Sequence, residues 1–373
     1  LRVSLHGRLI LSDVSMSLAP GEKLGVIGAS GSGKSMTALA VMGLLPNGAE
    51  VRGRILFEGN DLLRRSEREM CAVRGRDLGM VFQEPMTALN PLQTIGVQVA
   101  ETVRIHGGAS RAEARAVARE TLDRVGMPAA LFPLSRYPHE LSGGQRQRVV
   151  IAMAIALQPK LLIADEPTTA LDVTTQAGIL DLLHSLVDED GMGLMLITHD
   201  LAVVADLADR LAIMRSGAVV EAGPAAEVLR ERRHPYTRSL FEASTHHPER
   251  LSRLSRAPLL EVRDLERSYP TTRASLFGPV ERSQAVRGVS FTLHAGESVG
   301  LVGESGSGKS TLTRAILGLE PLQGGSVQLD GEPVDAERGV PAALRAKMQV
   351  VFQDPYGSFN PRHRVERLVA EPF

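Results

Sequence analysis

Residues 23–35 read KLGVIGASGSGKS, and this stretch decides the fold of the chain. Its opening run, Lys23 to Ile27, predicts a buried strand that leads into a Gly-rich turn and then into a helix from about Lys34. The last eight residues fit the pattern G-x-x-x-x-G-K-[ST], in which backbone N–H groups point at phosphate oxygens and the following helix adds the positive end of its dipole. The residues expected to bind phosphate, called the first phosphate loop below, are Gly28, Ala29, Ser30, Gly31, Ser32, Gly33, Lys34 and Ser35.

Two side chains of this loop have expected roles of their own. Lys34 would reach the β- and γ-phosphates of a nucleotide, and the Ser35 hydroxyl would ligate Mg²⁺. A flexible Gly/Ser loop is the alternative for a single match. The pattern recurs, however, with Lys309 standing 275 positions after Lys34. Each match is expected between a strand and a helix, which favours phosphate binding. The second phosphate loop, with the residue that follows it, comprises Gly303, Glu304, Ser305, Gly306, Ser307, Gly308, Lys309, Ser310 (again a Mg²⁺ ligand) and Thr311.

The recurrence extends beyond the loops and indicates a duplicated domain. VFQEP at residues 81–85 returns as VFQDP at residues 351–355, and Asn90-Pro91 returns as Asn360-Pro361. We therefore predict a first domain over residues 1–230, a tail and linker over 231–257, and a second, partial copy over 258–373. Because the second copy's later motifs would fall beyond residue 373, we expect this chain to turn over nucleotide only when two first copies pair.

An apolar run, Leu161 to Ala164, ends in the carboxylates Asp165 and Glu166. Polar residues at the carboxyl end of a buried strand are the pattern of a ligand-binding sheet edge. Asp165 is placed to hold Mg²⁺ through water, and Glu166 to act as general base on the attacking water. The alternative is an acid pair that caps a helix before Pro167.

Three further positions are candidates, each with a plainer alternative. Ser142, Gly143, Gly144 and Gln145 start a predicted helix and could cradle an anion, or Ser142 could be a simple N-cap. Gln83, and its counterpart Gln353, could ligate Mg²⁺ or orient water, or be ordinary surface residues. His199, just past the strand predicted over Leu194 to Ile197, could donate to a γ-phosphate, although a lone histidine is more often structural.

The composition excludes several classes of function. The chain has 373 residues, with 42 Lys and Arg against 43 Asp and Glu, and a net charge of -1. Such a balance, with 3% aromatic residues, argues against a nucleic-acid partner. The single cysteine, Cys71, cannot form an intrachain disulfide. No apolar stretch is long enough to span a bilayer, so any membrane role is expected to be peripheral.

The order and spacing of these motifs resemble the ATP-binding cassette ATPase family. By that resemblance Gln83 is the Q-loop, residues 142–145 the signature motif, residues 170–172 the D-loop and His199 the switch histidine. The resemblance implies an α/β P-loop NTPase cassette with a mixed, largely parallel core sheet, an antiparallel β subdomain and a helical insertion. It also implies ATP and Mg²⁺ as cofactors, and head-to-tail cassette dimers in which each ATP lies between one phosphate loop and the other signature.

A narrower resemblance points to the dipeptide/oligopeptide importer branch of the family. Its marker here is the tail His234 to Leu240, reading HPYTRSL. That branch implies two transmembrane permease subunits and a solute-binding protein as partners, at the cytoplasmic face of the bacterial inner membrane, and solutes such as peptides, glutathione or nickel. A soluble tandem cassette protein acting on ribosomes or in DNA repair is the alternative. The family stacks adenine on an aromatic residue, for which copy two offers Tyr269 but copy one has Leu5.

Overall fold

The computed structural model describes residues 1–82, 88–169, 171–244, 257–270, 282–304, 306–352 and 359–371. The chain divides into two compact units, Leu1–Pro248 (unit 1) and Glu249–Phe373 (unit 2). Gln83, Ser305 and Gln353, three of the candidate site residues, lie outside the described ranges. The domain boundaries predicted at residues 230 and 257 stay predictions.

Unit 1 is built on a six-stranded sheet in the order β11-β10-β3-β9-β8-β7. The five strands from β10 to β7 are parallel, and β11 adds an antiparallel edge. The predicted mixed, largely parallel core sheet is thus confirmed. The strands are β3 (Lys23–Ile27), β7 (Leu78–Val81), β8 (Leu161–Asp165), β9 (Gly193–Thr198), β10 (Arg210–Arg215) and β11 (Ala218–Pro224).

A small antiparallel sheet, in the order β2-β1-β4, forms the predicted β subdomain. A short hairpin of two strands, β5 and β6, follows it in the chain. These strands are β1 (Arg2–Leu5), β2 (Arg8–Leu11), β4 (Ala49–Arg52), β5 (Leu56–Phe57) and β6 (Asn60–Asp61).

The helices of unit 1 include the predicted insertion, a pair of packed helices between β7 and β8. The second of these helices begins after Ser110, which forms a reciprocal capping box with Glu113. The helices are α1 (Lys34–Met42), α2 (Glu67–Val73), α3 (Ile95–Gly107), α4 (Arg111–Arg124), α5 (Gly143–Ile155), α6 (Val173–Asp190), α7 (Leu201–Leu207), α8 (Ala225–Glu231) and α9 (Pro235–Ser244).

The core sheet separates two apolar cores. Ile27 packs with the cluster that includes Ile151 and Leu183 of the helical side. Leu24 and Val26 of the same strand belong to the second cluster, on the side of α1 and the antiparallel sheet. Alternate side chains of a strand point to opposite faces, so a strand buried on both faces is apolar throughout. The loop that follows β3 is therefore fixed at the edge of a rigid layer.

Unit 2 contains a four-stranded antiparallel sheet in the order β13-β12-β14-β15 and a helix after the second phosphate loop. Its own core is built around Val262, Leu265, Leu312 and Val327. The elements are β12 (Pro258–Pro270), β13 (Arg282–His294), α10 (Lys309–Ile316), β14 (Gly324–Leu329), β15 (Glu332–Pro333), α11 (Ala342–Arg345) and α12 (Val365–Ala370).

One expectation for unit 2 is wrong. The second phosphate loop is not preceded by a strand: residues 297–304 have no regular secondary structure, and Val299 and Val302 are 55% and 91% exposed. The matching run in unit 1, β3, is a strand because β9 and β10 pair with its two edges. Within the described residues of unit 2, no strand lies beside the run, so the apolar sequence alone does not form one.

Across the described residues, no helix is both long enough and apolar enough to cross a membrane.

Candidate functional site

The first phosphate loop connects β3 to α1 and packs so tightly that side chains are excluded at two positions. Gly33 has φ 102°, and a Cβ there would lie 2.5 Å from Cδ2 of Leu11. A Cβ on Gly28 would lie 2.2 Å from the carbonyl oxygen of Met214. Only glycine fits both positions without strain. At the tip of the loop Ser30 and Gly31 are exposed, which leaves the loop accessible to a phosphate ligand.

Lys34 begins α1 and is almost fully buried. Its Nζ donates to the carbonyl oxygens of Gly28, at 2.8 Å, and Ala29, at 3.1 Å. Burial lowers the pKa of Lys34, and the nearby carboxylates of Glu166 and Asp165 oppose that shift. The lysine is thus held against its own loop within the field of both carboxylates.

Asp165 ends β8 beside the first phosphate loop, with a side chain that is nearly inaccessible to solvent. Burial raises its pKa, aided by Glu166, while a hydrogen bond from the Ser35 hydroxyl and the charge of Lys34 act in the opposite direction. One oxygen, Oδ1, is buried without a hydrogen-bond partner. An orphaned carboxylate oxygen beside a serine hydroxyl has the chemistry of a Mg²⁺ site completed by phosphate and water.

No group of three or more His, Cys, Asp or Glu side chains that could hold a metal ion occurs in the part of the chain that the structure describes. The residues that fit Mg²⁺ are Asp165, with its orphaned Oδ1, and Ser35, whose hydroxyl lies beside it.

Glu166 follows Asp165 and turns away from the strand with φ 49°, an uncommon conformation for a residue other than glycine. Its N–H donates to the carbonyl of Ile197 at 2.8 Å, which ties it to β9. Oε2 accepts from Oγ1 of Thr169 at 2.9 Å, and Nδ1 of His199 lies 3.4 Å from Oε1. The structure thus brings the predicted base and the predicted histidine together. Thr169 has no role predicted from the sequence, where its signal is a hydroxyl three positions after Glu166.

The four residues 142–145 form the first turn of α5 and its N-cap. Ser142 and Gln145 make a reciprocal capping box, with Gln145 N–H donating to Oγ of Ser142 at 3.3 Å. Gly144 is required because a Cβ there would lie 2.2 Å from Cγ2 of Thr175. Ser142 is therefore an N-cap and is exposed, while its role in binding an anion stays a prediction.

The second phosphate loop has the same lysine arrangement as the first. Lys309 Nζ donates to the carbonyl oxygens of Gly303 and Glu304, each at 2.6 Å. Tyr269 lies near this loop: its hydroxyl is 3.4 Å from Oγ1 of Thr311. That hydroxyl also donates to Glu320, and the guanidinium carbon of Arg267 lies 4.6 Å from the ring centroid. Adenine stacking on Tyr269 stays a prediction.

Comparison with known proteins gives concordant results. A family model described as ABC transporter matches residues 11–169 and 286–370. The chain is 46% identical over 361 residues to the peptidoglycan transport ATP-binding protein YejF of Agrobacterium fabrum, covering 96% of this chain and 66% of that protein. It is 45% identical over 399 residues to the glutathione import ATP-binding protein GsiA of Escherichia coli K12, covering 96% of this chain and 63% of that protein. The chain thus spans somewhat less than two thirds of the length of these relatives.

Solved structures agree. A dimeric structure of the ATP-binding cassette MJ0796, in a post-hydrolysis state bound to ADP and Pi, superposes with a TM-score of 0.52 at 31% identity. The match covers 58% of this chain and 91% of that one. A second dimeric structure of the same cassette gives a TM-score of 0.51.

Proposed function

The chain belongs to the ABC transporter family, and on that premise we propose that it is an ATP-hydrolysing subunit that energises an importer of peptides or of a related solute such as glutathione. One observation carries the catalytic part of the proposal. Lys34, Asp165 and Glu166 lie within one another's electrostatic reach at the carboxyl edge of the sheet, and Ser35 donates to Asp165. This is the donor set that a magnesium nucleotide needs.

We assign ATP to the first phosphate loop and Mg²⁺ to Ser35 and Asp165, with Gln83 as a further ligand outside the described residues. When bound, the metal ion would neutralise charge on the β- and γ-phosphates. Lys34 would exchange the carbonyls of Gly28 and Ala29 for phosphate oxygens. The second phosphate loop takes the same assignment, with Ser310 and Gln353 at its metal site.

Glu166 is proposed as the general base that accepts a proton from the attacking water. Its carboxylate is oriented by the Thr169 hydroxyl on one oxygen and by His199 near the other. Oε2 already accepts a hydrogen bond from Thr169, whereas Oε1 lies on the side of His199. We therefore assign activation of the water to Oε1. His199 is further proposed to donate to the γ-phosphate.

The proposed active unit is a pair of cassettes, each ATP lying between the phosphate loop of one and residues 142–145 of the other. Exposure of Ser142 supports this assignment, as does the dimeric state of the MJ0796 structures. We further propose a tandem arrangement with cassettes over residues 1–230 and 258–373, joined by residues 231–257. Two permease subunits and a solute-binding protein are the proposed partners, at the cytoplasmic face of the bacterial inner membrane.

Two measurements test the proposal. The full chain should release phosphate from ATP in the presence of Mg²⁺, and EDTA should stop the reaction. Hydrolysis that is unchanged by EDTA would overturn the metal assignment. The chain, isolated with its partners from native membranes, should bring down two polytopic permease subunits. Recovery of ribosomal or DNA-repair proteins instead would overturn the transport assignment.

A further inference from the structure

The helix α9, at the end of unit 1, begins against the first phosphate loop. Oη of Tyr236 accepts a hydrogen bond from the backbone N–H of Ala29 at 3.0 Å. These residues are 207 positions apart in sequence. The contact therefore links the far end of unit 1 directly to the backbone of the phosphate loop.

The tyrosine is held in place by its neighbours. The guanidinium carbon of Arg215, at the end of β10, lies 5.0 Å from the centroid of the Tyr236 ring. Before the helix, the N–H groups of Arg233 and His234 donate to Glu221 of β11 at 2.9 and 3.1 Å. The Thr237 hydroxyl, on a fully buried residue, donates to the same carboxylate. The first turn of α9 is thus anchored to the β10–β11 hairpin.

Both polar groups of Ala29 are engaged. Its N–H donates to Tyr236, and its carbonyl accepts from Lys34 Nζ at 3.1 Å. The Ala29 N–H lies in the same planar peptide group as the carbonyl of Gly28, which accepts from Lys34 Nζ at 2.8 Å, so a contact that fixes this N–H also fixes the direction of that carbonyl. On its other side the loop is supported by the N–H of Gly217, which donates to the carbonyl of Ser32 at 2.9 Å. The loop is therefore held from the hairpin turn and from α9.

We propose that Tyr236 is a positioning residue for the first phosphate loop: it holds Ala29 so that the loop and Lys34 are arranged for phosphate before the nucleotide arrives. The inference rests on the proposed function, since it names a determinant of nucleotide affinity at that site. Tyr236 acts through Ala29, and its effect comes from ordering the loop in advance, which reduces the entropy lost on binding.

The test compares Tyr236→Phe with Ser239→Ala in the full chain carrying Lys309→Ala, which silences the second loop. Tyr236→Phe keeps the ring under Arg215 and removes only the hydroxyl. Ser239→Ala removes a hydroxyl from the same helix, one that donates to the Tyr236 carbonyl at 2.9 Å and lies in solvent. Tyr236→Phe should weaken ATP and tripolyphosphate equally, by about two- to tenfold for one neutral hydrogen bond, and Ser239→Ala should change neither.

Amide hydrogen exchange supplies a readout that does not depend on nucleotide. Exchange of a peptide covering residues 28–33 should be faster in Tyr236→Phe than in the parent or Ser239→Ala, at unchanged melting temperature. Unchanged exchange and affinity in Tyr236→Phe would overturn the proposal, as would a loss of ATP affinity without loss of tripolyphosphate affinity. If the parent binds neither ligand, the proposed function is wrong, and the exchange result still decides whether Tyr236 orders the loop.

Discussion

Nδ1 of His199 lies 3.4 Å from Oε1 of Glu166, across the carboxyl ends of the adjacent strands β9 and β8. The histidine side chain is 64% exposed and the glutamate side chain 15% exposed, so the histidine stands on the solvent side of a sheltered carboxylate. A group approaching Glu166 from that side meets His199 first. This arrangement is the one that the proposed roles of Glu166 toward water and of His199 toward the γ-phosphate require.

Lys34→Ala and Glu166→Gln should separate binding from hydrolysis. Removing the lysine deletes a charge-assisted phosphate contact, so ATP should bind about tenfold or more weakly. Glu166→Gln keeps the metal and phosphate contacts but loses the base, so binding should survive while turnover falls by roughly 10²- to 10⁴-fold. Equilibrium nucleotide binding and phosphate release measure the two effects. Equal losses of affinity in both variants would contradict the assigned roles.

His199→Ala should lower turnover and leave the affinity for ATP nearly unchanged. The histidine contacts Glu166 and is exposed, so its removal disturbs no core packing. A matched control is His184→Ala, because His184 is also exposed and forms a surface pair with Asp188 at 3.5 Å. The control should keep full turnover. A His199 variant as active as the His184 variant would remove the histidine from the mechanism.

Much of the fold could be predicted from local sequence. The apolar run from Lys23 to Ile27 predicts a buried strand, and the strand forms because β9 and β10 pair with its two edges. The run occupied by α4 is rich in Ala and Arg, has helical spacing and contains no Gly or Pro, so a helix could be predicted there. The strand before the second phosphate loop was mispredicted because strand formation depends on paired neighbours, and Val299 and Val302 have none among the described residues of unit 2.

The site was predictable where residues are consecutive and not where the fold joins distant segments. Asp165 and Glu166 stand together at a strand end, so their shared site could be predicted. The hydrogen bond from Ala29 to Tyr236 joins residues 207 positions apart, and no sequence pattern or motif spacing predicts that they meet. The tail containing Tyr236 could be recognised only as a subfamily marker, since nothing local indicates what its tyrosine touches.

Leu5→Tyr should tighten ATP at the first site more than it tightens tripolyphosphate. Leu5 ends β1 and is half-buried, whereas Tyr269 supplies an aromatic ring near the second loop. Base–aromatic stacking contributes about 1 to 3 kcal/mol at nucleotide sites. Titrations of both ligands into Lys309→Ala chains, with and without Leu5→Tyr, measure the difference. Equal tightening of the two ligands would show that residue 5 does not touch the base.

Glu221→Gln should destabilise unit 1 at neutral pH and not in acid. Burial opposes ionisation of Glu221, but hydrogen bonds from Thr237, His234 and Arg233 prevail and hold its pKa below the ordinary value of 4.5. Because the folded pKa is depressed, the stabilisation is fully present above pH 4.5 and is lost as the pH falls through the folded pKa.

Thermal melts of wild type and Glu221→Gln, measured from acidic to neutral pH, check the direction of this pH dependence. The gap in melting temperature should be constant above about pH 6 and should close on acidification below the ordinary pKa of a glutamate. Glu227→Gln is the control, because that carboxylate pairs with Arg233 on the surface, at 2.6 Å. A gap that widens in acid would contradict the assignment.

The central claim is that Lys34 of one cassette and Ser142 of another complete one ATP site, and mixing two inactive variants tests it most directly. A Lys34→Ala chain and a Ser142→Arg chain should each hydrolyse ATP poorly alone. In a mixed pair, Lys34 of one chain faces Ser142 of the other, so one of the two sites is intact. The mixture should recover about a quarter of wild-type turnover if the chains pair at random. Turnover of the mixture equal to the mean of the two separate variants would contradict the account.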